Sequence, residues 1–355
     1  VVSVLSGGLG DAGLAALEEA DPDVLLLVGG TDGGNAEVLL GDAAVLAASG
    51  WRRPVVVAGN VEAQPRVAAH FEASGTPYVL ADNVVPRIGV LAPESARAAI
   101  REMFLRHVIG GKRLSASPAF VAMVVAATPD VVLSGVELLA RGLPTGEPGV
   151  GDVVVVDVGG ATTDVYSFVE TDPEETTLGR EVVATTAMTR TVEGDLGMRS
   201  SAPSTVEAAG RGDLSEAAQR RQRDPGYLPV GEAEERVDTA LAAAAVDVAL
   251  RRHAGRSRVV LGAEGRVVER TGQDLREVSL LVGSGGALRA CGVERCVDEI
   301  LSPATGERPG GWQVPLAPSI VVDQAYVLAA AGLLAQRHPR AAYQLLAELG
   351  VGGRK

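Results

Sequence analysis

Short apolar runs alternate with amphipathic stretches from residue 1 to about residue 86, and this alternation constrains the fold more than any other feature of the chain. The apolar runs predict strands at Val1–Leu5, Val24–Val28, Pro54–Ala58 and Pro77–Leu80. The stretches between them have helical spacing and lie at Asp11–Ala20, Asn35–Ser49 and Val61–Ser74. Strands that are apolar throughout are typical of a parallel sheet covered on both faces. Residues 1–90 are therefore predicted to form a three-layer α/β unit.

The pattern changes after this unit. Residues 91–145 favour helices, predicted at Glu94–His107, Pro118–Ala127 and Ser134–Arg141. The stretch Gly142–Gly151 then contains two prolines and four glycines, which interrupt regular structure. We expect a domain boundary near residue 145 and a further domain over residues 146–355.

The second half mixes short strands with helices. Strands are predicted at Val153–Val158 and Val165–Glu170, which form a hairpin, and at Glu181–Thr189 and Ser279–Val282. Helices are predicted at Leu214–Arg223, Glu232–His253, Ala287–Cys291, Asp323–Arg337 and Arg340–Leu349. The chain as a whole is therefore predicted to belong to the α/β class.

Composition excludes several classes of protein. A net charge of -13 argues against general nucleic-acid binding, and 3% aromatic residues leave little material for stacking on bases. No apolar run reaches the roughly 18 residues of a membrane-spanning helix. The two cysteines and four scattered histidines fit neither a disulfide framework nor a metal cage, so we expect a cytoplasmic protein. Val1 lies inside a predicted strand without an initiator methionine, so we expect the natural protein to begin further upstream.

The segment from Val153 to Tyr166 has the strongest chemical signal. Asp157 ends a buried strand, and the glycines, hydroxyls and carboxylate that follow it are Gly159, Gly160, Thr162, Thr163 and Asp164. Glycines let backbone N–H groups approach a phosphate closely, hydroxyls add donors, and an aspartate holds Mg²⁺ through water. The alternative is a plain Gly–Gly hairpin turn with Thr and Asp facing solvent.

A second glycine-rich turn follows the predicted strand Ser279–Val282. Its residues are Gly283, Ser284, Gly285 and Gly286, and a helix is predicted directly after them. A strand that opens into a helix in this way leaves free N–H groups and room for a phosphate or a flat ring. A tight structural turn is the alternative.

Two further loops contain candidate residues. Gly29, Gly30, Thr31 and Asp32 follow a predicted strand, where ligands bind in open α/β sheets, so they are candidates for a phosphate or partner contact. The same residues also suit a structural turn. Glu193 and Asp195 are candidates to position water or Mg²⁺, and capping of a helix is the alternative for them.

The two glycine-rich motifs resemble those of the actin, heat-shock chaperone and sugar-kinase (ASKHA) ATPase superfamily. The loop from Asp157 to Asp164 is similar to its second phosphate loop, and Gly283–Gly286 to its adenosine motif. The small-residue helix that starts at Asp323 resembles the second connecting helix, and an ordinary packed Ala-rich helix is the alternative. The resemblance implies actin-like (ribonuclease H-like) lobes, with residues 91–145 as the helical part of the first lobe and 146–355 as an actin-like ATPase lobe that carries both motifs. It also implies ATP and Mg²⁺ as cofactors, with Asp157 holding the metal.

The superfamily's first phosphate loop, Asp-x-Gly-Ser/Thr, has no match before Val153. The ATP site of this chain is therefore expected to be incomplete, and its status as a hydrolysing enzyme stays open.

Three segments together resemble the accessory protein family of glutamate (methylaspartate) mutase, GlmL/MutL, which is unrelated to the mismatch-repair protein. They are Leu26–Asn35, Val156–Asp164 and Thr191–Arg199. The resemblance implies an ATP-dependent, chaperone-like reactivating factor whose partner is an adenosylcobalamin-dependent mutase. A small-molecule kinase on the same scaffold and a non-hydrolysing interaction module are the alternatives.

Overall fold

The computed structural model describes residues 3–103, 128–170, 187–262 and 265–351. These residues fall into two compact units. Residues 3–103 belong to unit 1, and the remaining described residues belong to unit 2. This division into two units does not test the predicted three-part division at residues 90 and 145, which stays a prediction.

Unit 1 contains a three-stranded parallel sheet in the order β1-β2-β3. The strands are β1 (Leu25–Leu27), β2 (Val55–Val57) and β3 (Tyr78–Leu80). The helices are α1 (Asp11–Ala20), α2 (Glu37–Ser49), α3 (Gln64–Ser74) and α4 (Glu94–Met103). All of them were predicted from the sequence to within a few residues. The predicted helix Pro118–Ala127 lies outside the described residues.

The central strand β2 buries alternate residues in two different cores. Val55 and Val57 pack with residues of α1, α2 and α3, whereas Val56 packs with α4. Successive side chains of a strand point to opposite faces, so both faces of this sheet are covered. The predicted parallel sheet covered on both faces is observed, but the helix that covers its second face, α4, lies beyond the predicted limit at residue 90.

The strand predicted at Val1–Leu5 is wrong over residues 3–5, which have no regular structure. The side chains of Val4 and Leu5 are 83% and 41% exposed. Gly7 and Gly8, both at positive φ, follow after Ser6. Local apolarity does not make a strand here because Val4 and Leu5 pack into none of the hydrophobic cores of the described residues.

Unit 2 is built on a five-stranded mixed sheet in the order β10-β9-β4-β5-β6. The strands are β4 (Val153–Val158), β5 (Thr163–Phe168), β6 (Met188–Glu193), β9 (Leu280–Ser284) and β10 (Ser319–Val322), and a separate hairpin comprises β7 (Arg256–Gly262) and β8 (Gly265–Thr271). Strands β4 and β5 form the predicted hairpin, and β9 runs parallel to both β4 and β10. The strand predicted at Glu181–Thr189 overlaps β6 only at Met188 and Thr189, because β6 extends to Glu193. Residues 181–186 lie outside the described ranges.

Helices cover both faces of the large sheet. They are α5 (Thr128–Arg141), α6 (Ala202–Ala208), α7 (Ser215–Arg223), α8 (Glu232–His253), α9 (Gly286–Ala290), α10 (Val327–Ala335) and α11 (Pro339–Leu346), with a π-helix at Cys296–Leu301. Val154 and Val156 face the core that contains α6, α7 and α8. Val153 and Val155 face the core that contains α5, α10 and α11. These layers confirm the predicted α/β class and are consistent with an actin-like fold.

Helices α5 and α10 cross at two glycines. A Cβ on Gly135 would collide with the Leu328 carbonyl, and one on Gly332 would collide with the Val131 carbonyl. The two backbones therefore approach more closely than any larger residue allows.

Helix α10 begins at Val327, four residues after the predicted start at Asp323. The Asp323 carboxylate accepts hydrogen bonds from the N–H groups of Val327 and Leu328, at 2.8 and 3.1 Å. Asp323 therefore satisfies the free donors of the first helical turn instead of belonging to it.

Candidate functional site

The turn of the β4–β5 hairpin lies at the carboxyl end of β4. Asp157 is the partner of Asp164 on β5 and of Ser284 on β9, and Asp323 follows the end of β10. Paired residues on neighbouring strands point to the same face, so these side chains share the face covered by α5 and α10. The structure therefore brings together residues at the carboxyl ends of β4, β9 and β10. Ligands of open α/β sheets bind at such an edge.

All three carbonyls of the Gly159–Ala161 turn accept hydrogen bonds from one neighbouring segment. The backbone N–H groups of Met198 and Arg199 donate to the carbonyls of Gly159 and Gly160, at 3.0 and 2.7 Å. The Ser201 hydroxyl donates to the Ala161 carbonyl at 2.7 Å.

The Gly159 N–H donates to the Thr162 carbonyl at 2.9 Å within the hairpin. The N–H groups of Gly160, Ala161 and Thr162 share peptides with the three carbonyls and therefore point to the other side, because the C=O and N–H of a trans peptide point in opposite directions. Those of Gly160 and Ala161 have no hydrogen-bond partner within the part of the chain that the structure describes. Successive free N–H groups in a turn form a concave site for an anion.

The backbone of Gly197 lies very close to the backbone of Gly160 and Ala161 in the turn. A Cβ on Gly197 would lie 2.6 Å from the Ala161 carbonyl carbon and 2.8 Å from the Gly160 oxygen. The Gly197 N–H donates to the Thr205 hydroxyl at 2.8 Å, which connects this segment to helix α6.

Three aspartates crowd the same strand ends. Burial raises the pKa of Asp157 to about 6, and the charges of Asp164 and Asp323 add to the shift. Burial also raises the pKa of Asp164, which is 9% exposed. A carboxylate in such a place is stabilised by an added positive charge.

The hairpin contains two buried oxygen atoms without a partner among the described residues, Asp164 Oδ1 and Thr163 Oγ1. The Thr162 hydroxyl lies 3.3 Å from the other Asp164 oxygen, Oδ2. Thr163 is fully buried on the opposite face from Asp157, so the structure does not bring its side chain to the aspartates. Thr162, in contrast, lies on the turn itself.

The Gly283–Gly286 turn packs directly on the hairpin. Gly285 has φ +98°, and a Cβ there would lie 2.7 Å from Asp157 Oδ1 and collide with the Val158 carbonyl. The Asp323 N–H donates to the Gly283 carbonyl at 2.8 Å. The turn therefore joins the ends of β4 and β10.

Sequence reasoning missed two side chains beside this turn, Arg289 and Tyr326. The Arg289 guanidinium lies over the Tyr326 ring, 4.1 Å from its centroid, and donates to the Gln324 carbonyl at 2.7 Å. Tyr326 is a non-glycine residue with φ +55°, and its hydroxyl would lie 3.5 Å from a Cβ on Gly286. No local pattern marks Tyr326, because its position depends on the loop between β10 and α10.

Glu193 and Asp195 are both paired with Arg252 of α8. The guanidinium donates to Glu193 Oε2 and Asp195 Oδ1 at 2.7 Å each, and to Asp195 Oδ2 at 2.9 Å. The hydrogen bonds from Arg252 lower the pKa of Asp195. The structure therefore neutralises these two carboxylates, and their role in positioning water or Mg²⁺ stays a prediction.

The Gly29–Asp32 loop of unit 1 has its own set of polar contacts. Asp32 Oδ1 accepts from the Val61 N–H at 3.1 Å and from the Asn83 amide at 2.8 Å. A Cβ on Gly30 would collide with the Asn35 carbonyl. Asp32 thus joins the loops after β1, β2 and β3, and contact with a phosphate or partner stays a prediction.

No group of three or more His, Cys, Asp or Glu side chains has the geometry of a metal cage within residues 3–103, 128–170, 187–262 and 265–351. The aspartates fit a hard cation that keeps most of its waters, as Mg²⁺ does when it binds with phosphates. None of the described helices is both long and apolar enough to cross a membrane.

The fold and this site define an α/β protein with a glycine-rich hairpin turn beside buried carboxylates at the strand ends. The family model of the MutL protein matches residues 1–349. Protein MutL of Clostridium tetanomorphum is 33% identical over 358 residues, which cover 98% of this chain and 77% of that protein. The chain belongs to the MutL protein family, which confirms the family resemblance of its three motifs.

Proposed function

We propose that this protein binds magnesium–ATP at the Asp157–Asp164 hairpin and the Gly283–Gly286 turn. In this proposal it acts as an ATP-dependent, chaperone-like reactivating factor of an adenosylcobalamin-dependent mutase of the glutamate mutase type. The observation that carries the proposal is the turn whose three carbonyls are all engaged on one side, so that its N–H groups face away beside Asp157.

The phosphates would bind to the N–H groups of Gly160 and Ala161. The Thr162 hydroxyl, which donates to Asp164 Oδ2 at 3.3 Å, would turn to the phosphate as a further donor. Both N–H groups are free in the described part of the chain, and Gly160 and Ala161 are exposed. An anion there needs no rearrangement of the turn, because the hydrogen bonds from Met198, Arg199 and Ser201 already orient it.

Asp157 would hold Mg²⁺ through its waters, with Asp164 next to it. The raised pKa of Asp157 fits a missing positive charge. Asp164 Oδ1 has no hydrogen-bond partner among the described residues, although the charge of Arg190 offsets part of the rise that burial causes in the pKa of that carboxyl. Bound Mg²⁺ would neutralise phosphate charge at this site.

The adenosine would lie at the Gly283–Gly286 turn. Gly285 already packs against Asp157, which places this turn and the hairpin side by side. A larger residue at Gly285 would push the two apart.

Nucleotide can change how a chaperone-like factor binds its partner only if it binds two arrangements of that factor with different affinity. Membership of the MutL family supports a partner from the mutase system. We therefore expect association with mutase subunits to differ between the ATP-bound and ADP-bound protein.

Calorimetric titration with magnesium–ATP and magnesium–ADP tests the site. Asp157→Asn is expected to weaken binding by at least about tenfold, because the amide cannot neutralise the cation. Asp213→Asn is the matched control, since Asp213 pairs with Arg211 at the surface. Equal affinity in wild type and Asp157→Asn contradicts the proposed site.

Reactivation is tested with an adenosylcobalamin-dependent glutamate mutase that carries damaged cobalamin. Recovery of mutase activity that needs both this protein and ATP supports the proposal. Transfer of phosphate to a metabolite without any mutase supports a kinase instead.

A further inference from the structure

Arg199 connects the anion-binding turn to a group of buried charges. Its backbone N–H donates to the Gly160 carbonyl at 2.7 Å. Its guanidinium donates from Nη2 to Asp238 Oδ2 at 2.8 Å and from Nε to the Tyr227 carbonyl at 3.1 Å. The side chain is 14% exposed. One residue therefore contacts the turn through its backbone and helix α8 through its side chain.

Asp238 is shared between two arginines. Its second oxygen, Oδ1, accepts from Arg221 Nε at 2.5 Å. The Arg221 side chain is fully buried, and it also pairs with Glu234 at 2.9 Å and lies over the Tyr227 ring, 5.0 Å from its centroid. A buried charge is tolerated only where partners surround it in good geometry. This network therefore fixes the position of the Arg199 guanidinium.

We propose that Arg199, held by Asp238 and Arg221, is a positioning residue that keeps the Gly159–Ala161 turn in its anion-binding shape. The inference rests on the proposed nucleotide site. It explains the orientation of the turn, because the segment 198–201, which donates to the carbonyls of the turn, is held in place by the Arg199 side chain. Donors that are already oriented bind an anion without the cost of reorganisation.

Hydrogen exchange without nucleotide tests the positioning role directly. The amides of Met198 and Arg199, which donate to the turn, are expected to exchange about tenfold faster in Arg199→Met, because the hydrogen bonds open more often. Arg295→Met is the matched control, since Arg295 pairs with Glu235 of the same helix at 3.0 Å. Unchanged exchange of both amides in Arg199→Met overturns the inference.

Ligand titration separates positioning from a general loss of structure. Arg199→Met is expected to weaken magnesium–ATP binding about tenfold and to leave adenosine binding unchanged, because adenosine has no phosphate for the turn. Arg199→Lys keeps the charge but loses the fork that reaches both Asp238 and the Tyr227 carbonyl, so a smaller loss of about threefold is expected. It also provides the comparison if Arg199→Met fails to fold.

The two proposals fail in distinguishable ways. Wild type that binds magnesium–ATP, with Arg199→Met binding it equally well, overturns the role of Arg199 and leaves the nucleotide site standing. Wild type that binds no magnesium–ATP overturns the proposed site, and the exchange of Met198 and Arg199 still decides whether this side chain holds the turn.

Asp238→Asn tests whether the network acts as a unit. Its effect on magnesium–ATP affinity is expected to match that of Arg199→Met, and the double variant is expected to be no weaker than either single variant. Additive losses contradict a shared mechanism.

Discussion

The carboxyl group of Asp157 sits where its charge is costly. Burial and the neighbouring charges of Asp164 and Asp323 raise its pKa to about 6. The unfolded chain ionises Asp at about pH 4. The folded state therefore keeps its proton to higher pH, and the stability that this gives is present below about pH 4 and is lost as the pH rises through about 6.

We accordingly expect Asp157→Asn to stabilise unit 2 by about 3 kcal/mol at pH 8 and to have little effect near pH 4. The asparagine keeps the shape of the side chain and does not ionise. Hydrogen exchange of β4 in buffer without Mg²⁺ or nucleotide measures this difference. If the difference in stability between Asp157→Asn and wild type is the same at pH 4 and pH 8, the raised pKa does not belong to Asp157.

The backbone of Gly285 leaves no room for a side chain. Alanine there is strained at φ +98°, and its Cβ would also press on Asp157 and the Val158 carbonyl. Gly292, at φ +85°, has open space around it and serves as the control for strain alone.

We expect Gly292→Ala to cost about 1 kcal/mol and Gly285→Ala roughly 1 to 3 kcal/mol more, together with the loss of nucleotide binding. Chemical denaturation and calorimetric titration of both variants measure the two effects. If Gly285→Ala and Gly292→Ala lower the free energy of unfolding equally, the turn accommodates the added methyl group without displacing Asp157.

At the scale of elements, the crossing of α5 and α10 depends on Gly135 and Gly332. Alanine normally favours a helix over glycine by roughly 0.5 to 1 kcal/mol. At Gly332 this gain is outweighed, because the new methyl group would collide with the Val131 carbonyl.

Gly332→Ala is therefore expected to destabilise unit 2 by roughly 1 to 3 kcal/mol. Gly41→Ala in helix α2, where no atom lies within 4 Å of the added Cβ, is expected to stabilise unit 1 slightly. Hydrogen exchange of α10 in Gly332→Ala and of α2 in Gly41→Ala measures whether each substitution lowers or raises stability. Stabilisation in both shows that the helix crossing adapts easily.

The whole molecule has separate hydrophobic cores for its two units in the described residues. The cores of unit 1 contain residues of α1–α4 and β1–β3, and those of unit 2 contain residues from 132 onward. Phe71 is fully buried in unit 1, and its replacement by alanine is expected to cost about 3 to 5 kcal/mol.

We expect Phe71→Ala to expose unit 1 to proteolysis while the affinity of the full chain for magnesium–ATP stays within about twofold of wild type. Limited proteolysis and calorimetric titration of the same preparation test this expectation. A comparable loss of nucleotide affinity contradicts a site contained in unit 2.

Most of the helices and strands, and the family, could be predicted from local sequence patterns. The continuous apolar runs predicted β1, β2, β3 and β4, because a buried parallel strand needs apolar residues on both faces. The Asp–Gly–Gly spacing likewise predicted the hairpin, since a tight turn between strands has a local signature.

Which residues of the candidate site meet depends on the three-dimensional packing of the chain. It paired Glu193 and Asp195 with Arg252, buried Thr163 away from Asp157, and left residues 3–5 without a strand. It also joined Arg199 to Asp238 and Arg221, far along the chain, through contacts that no local pattern encodes. The physical reason is that charge pairing and burial depend on distances between segments, whereas turns and strand periodicity depend on neighbours in sequence.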